Sequence, residues 1–167
     1  FLEAGYIPQP QQLKFHAAAR AADLAGQPNH IAMGGDRAGA KSHAIICQLA
    51  IDDCQRYPGL DTLYLRRVGK AAKKAMQQLR EKTFLNIPHE WNQNTGIVKF
   101  ENGSSIVIGN FRDDSDIEKY QGIEYDAIAV EESTQIKQAT KDQLRGSLRS
   151  SKPSWRTRLY EAANPGG

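Results

Sequence analysis

The sequence has few cysteines, no long apolar run and almost no excess of charge of either sign. Its 167 residues include two cysteines, which form neither a Cys-x-x-Cys pair nor a zinc pattern with histidine, so we expect free buried thiols in a reducing compartment. No apolar run reaches the roughly 18 residues of a membrane-spanning helix. The first residues lack the charged and apolar regions of a secretion signal. These absences argue against a disulfide framework, a zinc site, a membrane protein and a secreted protein.

The composition is that of one globular domain. Hydrophobic residues make up 40% of the chain and charged residues 25%, which is typical of folded proteins. Lys and Arg number 22 against 19 Asp and Glu, and the resulting charge of +3 is compatible with a polyanionic partner but too small for a dedicated nucleic-acid arm. The chain begins without Met and stops in a Pro-Gly-Gly turn. We therefore expect residues 1–167 to be a single domain taken from a longer chain.

Apolar periodicity predicts strands that alternate with helices. Helices are expected at 11–24, 42–56, 70–84 (a basic helix) and 137–150, and strands at 31–33, 62–65, 127–130 and 158–163. Asn102-Gly103 between the β-rich runs 97–100 and 105–108 is a strong hairpin signal, and 113–120 is expected to be a loop with one helical turn. Such alternation predicts an α/β fold with a mostly parallel central sheet.

The most informative segment is Gly-Gly-Asp-Arg-Ala-Gly-Ala-Lys-Ser at 34–42. It follows a strand and opens a buried helix, as a phosphate-binding P-loop (Walker A) does. In such a loop backbone N–H groups surround the β-phosphate, Lys41 reaches the β and γ oxygens, and the Ser42 hydroxyl ligates Mg²⁺. The candidate nucleotide-binding residues of the loop are Gly35, Asp36, Arg37, Ala38, Gly39, Ala40, Lys41 and Ser42.

One loop residue departs from the P-loop pattern. Ala40 stands where the second glycine is usual. If position 40 needs a positive φ, an alanine there costs about 1–2 kcal/mol, although Gly39 beside it can absorb the special geometry. A glycine-rich turn that binds nothing is the alternative interpretation.

A second motif is an apolar strand that ends in two acids. Residues 127–130 are apolar and are followed by Glu131 and Glu132, as in a Walker B strand. Glu131 is the candidate metal-side acid, although Asp is usual there and Glu is one methylene longer. Glu132 is the candidate catalytic base that orients and deprotonates water, which favours hydrolysis over transfer to a bound substrate. The alternative is a solvated acidic strand end.

Five further segments complete a family pattern. They are Pro-Gln-Gln-Leu-Lys-Phe-His at 10–16, Tyr-Leu-Arg-Arg at 64–67, Gly-Ile-Glu-Tyr-Asp at 122–126, Glu-Ser-Thr-Gln at 132–135 and Asn-Pro-Gly-Gly at 164–167. In order and spacing the whole chain resembles the large terminase subunit of tailed bacteriophages. The resemblance implies an N-terminal ATPase domain: a P-loop NTPase three-layer sandwich of the additional-strand, catalytic-glutamate type, with an inserted β-hairpin. It places the last strand between the P-loop strand and the Walker B strand. A nuclease domain normally follows in that family, and no segment here corresponds to it.

The resemblance also implies roles for single residues. Gln12 would bind the adenine edge, Arg37 would reach the γ-phosphate of its own site, and Asn164 would couple hydrolysis to movement. The alternatives are a solvated Gln12, an Arg37 paired with a carboxylate, and an Asn164 that belongs only to a turn. A neighbouring subunit often supplies another arginine, for which the candidates are Arg145 and Arg149, expected four apart on one helix face, and Arg66 and Arg67.

The implied function is Mg²⁺-dependent ATP hydrolysis that drives viral double-stranded DNA into a procapsid. The implied partners are DNA, the portal of the procapsid, the small terminase subunit and further copies of the chain in a ring, in the host cytoplasm and without a membrane. Two other functions are open. One is a nucleotide- or DNA-binding scaffold with a decayed ATPase site. The other is a small-molecule phosphotransferase, for which the sequence shows no lid segment.

Overall fold

The computed structural model describes residues 1–34, 38–66, 74, 77–78, 80–81, 84, 86–120, 122–131 and 136–162; the side chains of residues 2, 38–40 and 114 are outside this description. Its strands form one seven-stranded sheet. They are β1 His30–Met33, β2 Asp61–Arg66, β3 His89–Asn92, β4 Ile97–Phe100, β5 Ser105–Asn110, β6 Ala127–Glu131 and β7 Arg158–Ala162. Their order is β1-β7-β6-β2-β5-β4-β3.

The last strand lies between the P-loop strand and the acidic strand. β7 pairs in parallel with β1 on one side and with β6 on the other, and β6 pairs in parallel with β2. This confirms the expected strand insertion and the mostly parallel α/β fold. The hairpin is confirmed too, with Gly103 at φ +90 in its turn. Its second strand, β5, also pairs in parallel with β2, so the hairpin is part of the main sheet and extends it through β4 to β3.

The helices begin and end close to the expected positions, with one exception. They are α1 Pro10–Ala21, α2 Ala38–Cys47, α3 Asp114–Ile117 and α4 Gln138–Arg145. Asp113 caps α3 by accepting hydrogen bonds from the Ser115 and Asp116 N–H groups, which gives the expected helical turn. The basic helix at 70–84 lies mostly outside the described residues, of which 74, 77–78 and 80–81 are helical.

The expected helix at 137–150 is too long. α4 ends at Arg145 with its cap at Gly146. The chain then pairs with the segment before β6: Tyr125 N–H donates to the Ser147 carbonyl at 2.8 Å, and Arg149 N–H donates to the Tyr125 carbonyl at 3.2 Å. These backbone bonds compete with further helical ones, so Arg149 does not lie on the helix that carries Arg145.

Two hydrophobic layers cover the two faces of the sheet. Tyr64, Ala129 and Tyr160 belong to the layer that α1 and α2 cover. Leu65 and Val130 belong to the opposite layer, which includes the buried side of α4. Because strand residues alternate between faces, Arg66 and Glu131 share the face of Tyr64 and Ala129. The helix that follows the P-loop thus packs on the same face as the acidic strand end. Within the described part of the chain no helix is long and apolar enough to cross a membrane.

The helix after the P-loop continues through a π-helical segment, Gln48–Asp53, into a final turn, Cys54–Arg56. The wider turn brings the i+5 residue near the same side chain as the i+4 residue. Gln48 Nε2 accordingly donates to Asp52 at 2.9 Å and to Asp53 at 2.8 Å. Tyr160 on β7 donates its hydroxyl to Asp53 at 2.6 Å. The far end of this helix is therefore attached to β7 by buried polar bonds.

Two arginines, Arg158 and Arg56, lie near the buried carboxylate of Asp53. Arg158 is fully buried and its guanidinium lies 2.8 Å from Asp23, while Arg56 lies 3.5 Å from Asp53. Burial raises the pKa of Asp53 to about 6, Arg158 and Tyr160 oppose that rise, and Asp52 adds to it. Since the pKa lies above that of an unfolded aspartate, ionised Asp53 disfavours folding.

We predict that Asp53→Asn changes how stability depends on pH. The raised folded-state pKa means that the native state binds the proton more tightly, so the contribution of Asp53 to stability is present below about pH 4 and is lost as pH rises to about 6. The variant should lack this decline, which we expect to be on the order of 2 kcal/mol. Urea unfolding between pH 4 and 7 measures it.

Asp23→Asn is the control of opposite sign. Burial raises the pKa of Asp23, but hydrogen bonds from Arg56 and Arg158 outweigh it and the net pKa is lowered. Its contribution is therefore lost as pH falls below about 4. Parallel stability profiles for Asp53→Asn and wild type between pH 4 and 6 would contradict the assignment to Asp53.

Candidate functional site

The phosphate-loop residues that the structure describes lie at the start of α2. Ala38, Gly39 and Ala40 form its first turn, and Lys41 and Ser42 follow with buried side chains, 3% and 7% exposed. Because the backbone at Ala40 is right-handed helix, the alanine causes no positive-φ strain there, and the cost considered from sequence does not arise. Gly35, Asp36 and Arg37 lie outside the described residues.

The carboxyl ends of three parallel strands meet beside this helix. The register aligns Met33 of β1 with Ala162 of β7, and Ala162 with Glu131 of β6. Ligands of open α/β sheets bind at this edge. Glu131 is 3% exposed, so it is not a solvated acidic strand end. Glu132 and Asn164 follow β6 and β7 in sequence and lie outside the described residues.

Tyr64 lies between the loop helix and the acidic strand. Its side chain is fully buried on β2, and its hydroxyl lies near the Ser42 hydroxyl and the Glu131 carboxylate, both of which act on its pKa, without a hydrogen bond of good geometry to any described atom. Burial raises the pKa of Tyr64 well above its ordinary value, the neighbouring negative charge of Glu131 raises it further, and Ser42 acts in the opposite direction. The two motifs, 89 positions apart from Ser42 to Glu131, therefore lie close together in the fold.

Sequence reasoning did not single out Tyr64 as a site residue. The available signal was its position: on β2, Tyr64 and Arg66 alternate with apolar Leu63 and Leu65. Two polar side chains on one face, next to the carboxyl end of a central strand, indicate a site at that end.

Arg66 forms an ion pair with Glu131 of its own chain. Its Nη1 is 3.5 Å from Glu131 Oε2, and its side chain is 22% exposed. This ion pair favours a role at its own site over one at a neighbouring subunit. Arg67 lies outside the described residues.

The oxygen atoms near Tyr64 fit a magnesium ion. Mg²⁺ prefers carboxylate, hydroxyl and phosphate oxygens and keeps several waters, and Ser42 and Glu131 supply one hydroxyl and one carboxylate. A protein-only cage is not needed for such an ion. Among the described side chains, no group of three or more His, Cys, Asp or Glu residues could hold a metal alone.

Gln12 is buried rather than solvated. It is 6% exposed, and its Oε1 accepts a hydrogen bond from the Gln9 N–H at 2.8 Å, which closes the first turn of α1. A cavity of about 450 Å³ lies between α1 and β1 and reaches Gly34 at the start of the phosphate loop. Gln11 and Lys14 line that cavity. The structure thus shows a capping role for the Gln12 oxygen.

The two helix-face arginines have different surroundings. Arg145 is exposed at the end of α4 and donates from Nη2 to His30 Nδ1. His30 Nε2 in turn lies 2.6 Å from Glu161, so Arg145 is attached to the β1–β7 edge of its own chain. Arg149 is exposed beyond the helix and borders a cavity of about 310 Å³ with Glu124. The expected shared helix face is wrong.

A family profile described as phage terminase large subunit matches residues 27–167. This range includes the phosphate loop, the acidic strand and the inserted β7. A search of curated proteins found no match to the chain.

Solved structures of large terminases share the fold. The ATPase domain of the large terminase of Thermus phage P74-26 superposes with a TM-score of 0.69 at 15% identity, over 98% of this chain and 67% of that one. The large terminase of bacteriophage HK97 gives 0.67 at 8% identity, over 95% and 33%. A large terminase of a thermophilic bacteriophage, crystallised with ATP-gamma-S, gives 0.67 at 12% identity, over 94% and 38%. The chain thus spans 33–38% of these two longer chains.

We predict that substitutions of Gln12 separate capping from base recognition. Gln12→Ala removes the acceptor for the Gln9 N–H and should cost about 1 kcal/mol of folding stability. Gln12→Glu keeps an acceptor and adds a negative charge at a helix N-terminus, where it is favourable, so its stability should stay closer to wild type. It loses the amide donor, and if that donor meets adenine, ATP affinity should fall about tenfold while GTP affinity stays unchanged.

Denaturant unfolding and competition between ATP and GTP for a fluorescent nucleotide measure the two effects. Equal ATP affinity for Gln12→Glu and wild type would show that Gln12 caps α1 and does not recognise the base.

Proposed function

This chain belongs to the phage terminase large subunit family, and we propose that it hydrolyses ATP with Mg²⁺ to drive viral double-stranded DNA into a procapsid. The observation that carries the proposal is that Ser42 of the loop helix and Glu131 of the acidic strand both lie near the buried Tyr64 hydroxyl. The fold adds support, because β7 lies between β1 and β6, as in the additional-strand class of ATPases that the sequence resembles.

Nucleotide binding would use the start of α2. A helix N-terminus carries a partial positive charge and unpaired N–H groups, both of which favour phosphate. Lys41 would contact the β and γ oxygens, and the backbone of residues 35–40 would surround the β-phosphate. The thermophilic phage terminase crystallised with ATP-gamma-S has the same fold, which supports a triphosphate as the ligand.

Ser42 and Glu131 would hold the magnesium ion, Ser42 directly and Glu131 through its carboxylate or a bound water. When bound, Mg²⁺ neutralises charge on the β and γ phosphates. Arg66 lies 3.5 Å from Glu131 and would limit where that carboxylate can point. Glu131 is one methylene longer than the usual Asp, and its burial restricts the rotamers that this extra length would allow.

Glu132 would act as the general base. A water molecule held by Glu132 attacks the γ-phosphorus, the bond from that phosphorus to the β–γ bridging oxygen breaks, and the water proton passes to Glu132. ADP and inorganic phosphate result. Lys41 and Arg37 would stabilise the negative charge that develops on the γ-phosphate oxygens.

Movement would be coupled to hydrolysis through β7. Tyr160 and Ala162 belong to the face that α2 covers. Asn164, two positions beyond the end of β7 in the sequence, would sense the γ-phosphate. The motor would act as a ring of copies of the chain in the host cytoplasm. Its partners would be DNA, the portal and the small terminase subunit. Arg145 or Arg149 is the candidate arginine that a neighbouring copy would supply.

The decayed-scaffold alternative is less well supported. It depends on Ala40 and Glu131. The helical backbone at Ala40 removes the strain argument, and Glu131 retains an oxygen ligand in a buried position.

The phosphotransferase alternative is tested separately. Phosphate release without an acceptor substrate would distinguish hydrolysis from small-molecule phosphotransfer.

We predict that Glu132→Gln leaves ATP binding within about twofold of wild type and lowers phosphate release at least about 100-fold, because a general base contributes on the order of 10²–10⁴. Glu124→Gln is the matched control, since Glu124 is an exposed glutamate that precedes the same strand. Fluorescent-nucleotide titration and a phosphate-release assay with saturating Mg²⁺ measure both quantities. Unchanged turnover in Glu132→Gln, or absence of binding at millimolar ATP in wild type, would refute the proposal.

A further inference from the structure

Tyr64 occupies a position on β2 from which its ring can extend toward the carboxyl edge. Its register partner on β6 is Ala129, two residues before Glu131. Strand side chains lean along the strand direction, and the small alanine leaves room beside the ring. The side chain is fully buried, so its hydroxyl has been taken out of water.

The hydroxyl is directed to the two candidate metal-side oxygens. It interacts with Ser42 and with Glu131. Within the described part of the chain, however, no atom gives it a hydrogen bond of good geometry. A buried hydroxyl without such a bond costs free energy, so the Tyr64 hydroxyl is available to bond the Glu131 carboxylate beside it.

A cation approaches Glu131 from the same strand. Arg66 follows Tyr64 by two residues on the same face, and its guanidinium lies 3.5 Å from Glu131 Oε2. Two side chains of β2 therefore surround the Glu131 carboxylate. A glutamate has one more rotatable bond than the aspartate usual at this position, so it needs more constraint to point in one direction.

We propose that Tyr64 is a positioning residue that fixes the Glu131 carboxylate relative to the Ser42 hydroxyl and so sets the affinity of the site for the divalent cation that accompanies the nucleotide. The inference rests on the proposed function, because it requires a metal–nucleotide site. Tyr64 itself acts through Glu131 and Ser42 and not on the reacting atoms. Outer groups that orient metal ligands typically change metal affinity or activity 10–100-fold.

Tyr64→Phe tests this role, with Tyr160→Phe as the matched control. Both tyrosines are fully buried on the same sheet face, but Tyr160 donates to Asp53 at 2.6 Å and does not contact Ser42 or Glu131. Tyr64→Phe removes a hydroxyl that lacks a good hydrogen bond, so the apo protein should keep or slightly raise its melting temperature. Tyr160→Phe leaves a buried carboxylate underbonded and should lower it by about 3–6 °C.

The measurement is binding of a fluorescent ADP analogue to the 167-residue chain at increasing Mg²⁺, with EDTA as the metal-free reference. For Tyr64→Phe we expect the Mg²⁺ concentration at half-saturation to rise about tenfold, with binding in EDTA unchanged. For Tyr160→Phe we expect no change in Mg²⁺ dependence. In a Glu131→Asp background the effect of Tyr64→Phe should shrink to less than about twofold, since interacting residues are not additive.

The outcomes separate this inference from the proposed function. Wild type that binds no analogue, with or without Mg²⁺, overturns both. If wild type binds the analogue in a Mg²⁺-dependent way and Tyr64→Phe shows the same Mg²⁺ dependence, only the role of Tyr64 is overturned. The same holds if the effect of Tyr64→Phe is equally large in the Glu131→Asp background. Apo Tyr64→Phe that melts lower by as much as Tyr160→Phe also overturns it, because the hydroxyl would then be structural.

Discussion

The parallel pairing of β7 between β1 and β6 determines where the candidate catalytic groups lie. Through this pairing Met33, Ala162 and Glu131 lie in register at one edge, so β1 and β6 end on either side of β7. If β1 and β6 were direct neighbours, no third strand would lie between their carboxyl ends. In the function proposed above, this inserted strand is the element that would couple hydrolysis to movement.

β7 is also linked to the helix that begins with α2 by buried polar bonds, at the end of that helix farther from the phosphate loop. Tyr160 binds Asp53 at 2.6 Å, and the π-helical turn directs both Asp52 and Asp53 toward Gln48. Breaking such bonds without water costs more than a surface contact would. The far end of the helix that begins with α2 is therefore fixed relative to β7.

Much of the fold was predictable because its signals are local. The apolar run at 127–130, the Asn102-Gly103 turn and the Gly-rich entry to α2 each specify one element by composition. The position of β7 came from the family resemblance and is confirmed by the pairing. The end of α4 was missed, since the pairing of Tyr125 with Ser147 and Arg149 is a tertiary contact that helical periodicity does not reveal. The π-helical turn was missed for the same reason: Gln48 donates to Asp52 and Asp53 there, and Asp53 also accepts from Tyr160 on a distant strand.

Sequence motifs single out candidate residues on both sides of the site but not the tyrosine between them. Lys41, Ser42 and Glu131 are recognisable as parts of motifs, whereas Tyr64 depends on the register that sets it beside Ala129. That register explains how a glutamate can stand where an aspartate is usual. A glutamate carboxylate reaches farther than that of an aspartate but can adopt more orientations. The Tyr64 hydroxyl and the Arg66 guanidinium, both on β2, lie near it and limit those orientations. We therefore interpret Glu131 and Tyr64 as a pair. The longer side chain of Glu131 needs a neighbouring group that orients its carboxylate, and Tyr64 is in the position to do so.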